Sequence, residues 1–62
     1  MDTATRAEEL ATSFRNGNRT WVRDQILNTK PKRVAITLAL RTYDCLNLPT
    51  DRDVLFNLLD QV

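Results

Sequence analysis

Sixty-two residues amount to a single domain, 1–62, and a chain this short buries only about 60% of its unfolded surface, so its core is marginal without reinforcement. The one cysteine, Cys45, excludes an internal disulfide, and the lack of histidine leaves no four-ligand zinc set; self-association or a partner protein is the reinforcement that remains. The net charge of +1 hides an asymmetry: residues 1–14 balance at −2, residues 15–33 at +5 (Arg15, Arg19, Arg23, Lys30, Lys32 and Arg33 against Asp24), and residues 34–62 at −2.

In chain order, the N-terminal stretch MDTATRAEEL carries acidic residues and no apolar run, so neither a secretory signal nor a membrane span is expected there. The lone thiol fits a reducing compartment, and a cytoplasmic location is expected. Ala7, Leu10, Ala11 and Phe14 follow the i, i+3, i+4, i+7 spacing of one helical face, which predicts a helix over 4–16. Thr5 and Glu8 have capping-box spacing, with Asp2 or Thr3 as caps one turn earlier. Gly17 supplies the left-handed stop. Asn16-Gly17 is also a hairpin-turn signal, but RAEELA favours helix and the segment beyond does not alternate.

A short helix is predicted over 20–28, with Val22 and Ile26 one turn apart and Thr20 or Asn18 at its start. Nine residues do not hold a helix alone, so packing must stabilise it. Pro31 is tolerated in a first turn and opens a third helix over 31–47. Val34, Ile36, Leu38 and Leu40 alternate like a strand, yet the length and the alanines at 35 and 39 favour helix. On that helix Ile36, Ala39, Leu40, Tyr43 and Leu46 share one side, and Arg33, Thr37, Arg41 and Asp44 form a narrow polar stripe. A helix apolar over so much of its circumference is the central element of its fold, and a homodimer is one way to cover it. The last helix is predicted over 51–61, capped by the Thr50–Asp53 segment, with Val54, Leu55, Leu58, Leu59 and Val62 as its stripe and Phe56 at the exposed edge. The expected fold is therefore all-α, a single small domain of three to four short helices.

Catalytic chemistry has little to draw on. There is no histidine for general-base work, no Ser or Cys nucleophile motif and no glycine-rich phosphate cradle, so no enzyme, cofactor or metal is expected. Cys45 lies towards a helix C-terminus beside Asp44, the wrong setting for a reactive thiol, and reads as a small hydrophobe. The stretch FRNGNRTWVRDQIL invites a helix-turn-helix reading, with Arg19, Arg23, Gln25 and Asn28 able to read base edges. Its register fails, because Arg23 stands where a buried aliphatic residue belongs.

The function expected is a small intracellular protein–protein interaction module, an adaptor or modulator, whose partner is another protein or a second copy. Arg15, Arg19, Trp21, Arg23 and Phe56 are the expected partner-binding residues, since exposed Trp and Arg make interface anchors. The runner-up is a small nucleic-acid-binding regulator in which Arg15, Arg19, Arg23, Lys30, Lys32 and Arg33 track phosphates and Trp21 stacks. A pI near 7.9 argues against it, because such domains usually exceed 9.

Overall fold

The computed structural model describes residues 2–61 as four helices, α1 (Thr3–Arg15), α2 (Arg19–Leu27), α3 (Lys32–Cys45) and α4 (Pro49–Asp60), with no strand among those residues. The Cα radius of gyration is 10.2 Å, against about 10.6 Å for a close-packed chain of this length. Helices α2 and α3 each touch the other three, and the most extensive packing is between α1 and α3.

Helix α1 follows its sequence pattern. Ala7, Leu10, Ala11 and Phe14 are all fully buried and form one wall of the core. Of the alternative caps, Asp2 is the one used: its Oδ1 accepts a hydrogen bond from the Thr5 backbone N–H at 2.8 Å. That bond is the main cause holding the Asp2 carboxyl below its ordinary pKa. Because the folded chain then binds the proton less tightly than the unfolded one, the cap's contribution is fully present above the ordinary aspartate pKa. It is lost as the pH falls through the lower folded value. The Thr5 amide resonance should therefore titrate with a midpoint below the usual aspartate range, and Asp2→Ala should abolish that step. A midpoint at or above the ordinary value would show that the cap does not form.

At the other end, the Gly17 N–H donates to the Phe14 carbonyl at 3.1 Å and the Asn18 N–H to the Ser13 carbonyl at 3.0 Å. This is a Schellman closure with Gly17 at φ 100°, a conformation an L side chain rarely adopts. The expected helix stop is thus a tight corner that sets α2 directly behind α1.

Helix α2 buries Val22 and Ile26. Asn18 occupies its N-cap but makes no side-chain cap bond. Arg6 ties α2 to α1 by donating from Nη2 to Gln25 Oε1 at 2.8 Å. The α2–α3 connection contains a cis Lys30–Pro31 bond, and Pro31 stands just outside α3, its carbonyl accepting from the N–H groups of Val34 and Ala35.

Two expectations are corrected. Helix α4 begins earlier than the Thr50–Asp53 signal suggested, with Pro49 in its first turn, Leu48 as N-cap and no side-chain cap bond. Asp51, read as a capping residue, is instead buried and pairs with Arg19 at 3.6 Å, linking the starts of α2 and α4. The second correction concerns α3, whose core-facing line is Leu38, Thr42 and Leu46 rather than Ile36, Leu40 and Leu46. Thr42 fits the interior because its hydroxyl donates back to the Leu38 carbonyl at 2.7 Å, which leaves no unpaired polar atom. On α4 only Leu55 of the expected stripe is fully buried; Val54, Leu58 and Leu59 are partly buried, and Val62 lies outside the described residues.

Candidate functional site

Turning α3 by its Thr42 line has a consequence on the opposite side. Ile36 is 53% exposed and Leu40 62% exposed, so two large apolar side chains of the helix face outward. Helix α4 runs antiparallel beside it. The Arg52 guanidinium, near the start of α4, sits 5.4 Å from the Tyr43 ring near the end of α3, while Leu59, near the end of α4, shares a hollow with Ala35 and Ile36. Between the two helices lies a groove of about 520 Å³. Helix α3 contributes Ile36, Ala39, Leu40 and Tyr43 to its walls, and α4 contributes Leu55, Phe56, Leu59 and Asp60. A second hollow of about 430 Å³ shares Ile36, Ala39 and Leu59 and extends the apolar surface to Leu27, Lys30 and Lys32.

Phe56, at 61% exposed, stands on the α4 bank of this groove. Singly exposed apolar residues are ordinary on a protein surface, but a contiguous apolar patch with a polar rim marks a place of contact. Here Ile36, Leu40 and Phe56 are contiguous, and the groove offers pockets for apolar anchors.

The other expected partner-binding residues lie elsewhere. Trp21 is 47% exposed on α2 and does not line the groove. Arg15 donates from Nη1 to the Cys45 carbonyl at 3.2 Å. Arg19 lies 5.6 Å from the Phe14 ring centroid and pairs with Asp51. Arg23 donates from Nε and Nη2 to Asp24 Oδ1 at 3.0 and 2.9 Å. Of Arg15, Arg19, Trp21, Arg23 and Phe56, the structure places only Phe56 on the groove. It also divides the basic segment: the first three arginines are engaged within the chain, and Lys30, Lys32 and Arg33 are exposed and free of ion pairs among the described residues.

Trp21→Ala should cost on the order of 1 kcal/mol, below the roughly 3–5 kcal/mol of a fully buried aromatic residue. Chemical denaturation of the variant checks this, and a chain that no longer folds at 25 °C would place Trp21 in the core.

Sequence reasoning did not pick out Ile36 and Leu40 as surface residues, because it assigned their side of α3 to the core. The signal lay in the neighbouring line: Leu38, Thr42 and Leu46 are spaced one turn apart, and a threonine can satisfy its own hydroxyl there.

Cys45 is half-buried against the core. Among the described residues no helix is long and apolar enough to cross a membrane, and no group of three candidate ligands is placed to hold a metal ion. No family model, curated protein or solved structure matches the chain, so the functional reading rests on its own residues.

Proposed function

We propose that this protein is a small, non-catalytic, cytoplasmic interaction module that binds protein through the apolar groove between α3 and α4. The observation that carries this reading is the outward placement of Ile36, Leu40 and Phe56 around one groove. Burial of apolar surface is the general driving force of protein association, at about 25 cal/mol per Å². A partner side chain entering beside Phe56 would meet apolar walls on both sides. The chemistry of the chain supports the non-catalytic part, since it offers no histidine and no nucleophile motif. The competing reading, nucleic-acid binding by residues 15–33, keeps only Lys30, Lys32 and Arg33 as unengaged cations in that segment.

The test uses a photoreactive residue. With p-benzoylphenylalanine in place of Phe56, light should give protein adducts in cells expressing the chain. The same residue in place of Glu9, exposed on α1, should give few. Equal labelling at the two positions, or none at position 56, would overturn the proposal.

A further inference from the structure

We infer that Asn16 is a self-modification site, at which the Gly17 backbone nitrogen displaces the side-chain ammonia of Asn16 when the α1–α2 corner opens. The corner lies apart from the groove, which neither residue lines.

The chain has five asparagines, Asn16, Asn18, Asn28, Asn47 and Asn57, followed by Gly, Arg, Thr, Leu and Leu. Asparagine is thermolabile because its side-chain amide is open to attack by the backbone nitrogen that follows it. A side chain on the following residue crowds that approach, and only Asn16 has a glycine there. Asn16 and Gly17 are both exposed, and a Cβ built on Gly17 would meet nothing within 4 Å, so solvent reaches the corner.

Water is the only co-reactant the step requires. The Gly17 nitrogen gives up its proton and bonds to Asn16 Cγ, the Cγ–Nδ2 bond breaks, and ammonia leaves with that proton. Water then opens the resulting five-membered imide. Attack at Cγ leaves aspartate. Attack at the Asn16 backbone carbonyl leaves isoaspartate, in which the main chain runs through the former side chain.

The closed corner withholds both requirements of the first bond. The Gly17 N–H is committed to the Phe14 carbonyl at 3.1 Å, which keeps the proton on the nitrogen. Asn16 stands at ψ 1°, whereas ring closure needs its Cβ and the Gly17 nitrogen eclipsed about the Cα–C bond, about a third of a turn away. That rotation breaks the Gly17–Phe14 bond and the bond from the Asn18 N–H to the Ser13 carbonyl at 3.0 Å. Attack therefore waits on opening of the corner, an event with its own local free energy. Isoaspartate adds one backbone atom inside both hydrogen-bonded rings, so the Schellman closure does not re-form around it. The corner that stops α1 thus also locks the chemistry of its own Asn-Gly pair, and converts an opening into a permanent mark.

The test follows the full chain in heavy-oxygen water by peptide mapping and mass spectrometry, in buffer and in urea above the unfolding transition. In urea Asn16 should take up label well ahead of Asn18, Asn28, Asn47 and Asn57, with isoaspartate among its products. In buffer Asn16 should react at least about tenfold more slowly, and be at least as protected as the Gly17 amide is against hydrogen exchange. Phe14→Leu, which loosens the corner while keeping an apolar side chain there, should speed exchange at Gly17 and modification at Asn16 together. Gly17→Ala, compared in urea where folding plays no part, should slow the reaction several-fold by crowding the nitrogen. Equal rates in buffer and urea, or faster exchange in Phe14→Leu without faster modification, overturn the gating. Label at Asn16 with no isoaspartate, or a Gly17→Ala chain as fast as the wild type in urea, overturns attack by the Gly17 nitrogen.

Discussion

Replacing Phe14 with alanine should leave this chain largely unfolded at 25 °C. The ring is fully buried, closes the corner between α1 and α2, and carries the Arg19 guanidinium 5.6 Å from its centroid. Truncating a buried phenylalanine costs about 3–5 kcal/mol through lost transfer free energy and the cavity left behind. A domain of this length has only about 3–9 kcal/mol of total stability, at 0.05–0.15 kcal/mol per residue. The loss is therefore comparable to the whole. Far-UV circular dichroism during urea titration reads it directly, and a transition midpoint close to that of the wild type would show that Phe14 does not fill the core.

The second large effect lies on α4, where two adjacent residues should behave oppositely. Leu55 is the one apolar residue of α4 that is fully buried, while Phe56 beside it is mostly exposed. Leu55→Ala should cost about 2–5 kcal/mol, and Phe56→Ala about 1 kcal/mol or less in the isolated chain. Leu55 is the one apolar side chain that α4 buries fully, with Val54, Leu58 and Leu59 only partly buried, so the loss at Leu55 should appear first as local opening. Hydrogen exchange at the amides of α4 should speed up before that of α1 and α3 in Leu55→Ala. If all four helices lose protection together, α4 is not a separable unit and the argument from its thin attachment fails.

The contrast between residues 55 and 56 also shows how far the amino-acid pattern carries. On α1 the stripe Ala7, Leu10, Ala11 and Phe14 names the buried face completely, because a strongly amphipathic helix has one way to pack. The four helices fall within two residues of the ranges read from caps, glycine and proline. Phe56 was legible as exposed because it stands off the apolar stripe of α4. On α3 periodicity fails, since two apolar arcs compete and only the packing of α1 decides between them. The pairing of Asp51 with Arg19 spans more than thirty positions, so no local signal reports it. A carboxylate just inside a helix start is ordinarily explained by the helix dipole alone, and that explanation concealed the contact.

The engagement of Arg15, Arg19 and Arg23 within the chain was hidden for a related reason. Arginines near a glycine corner look free in a linear reading, but their reach lets them find carbonyls and carboxylates on distant helices. Two arginines, one from that corner and one from α4, meet at one place. The last turn of α3 has no glycine, and carbonyls there are taken by Arg15 from α1, onto Cys45, and by Arg52 from α4, onto Leu46. The first and last helices of the chain are in this way latched to a single turn. That turn cannot fray without releasing a side chain from each, so its amides should exchange more slowly than those of an unlatched helix end. The latch joins both ends of the chain to residues 45 and 46, where α3 closes.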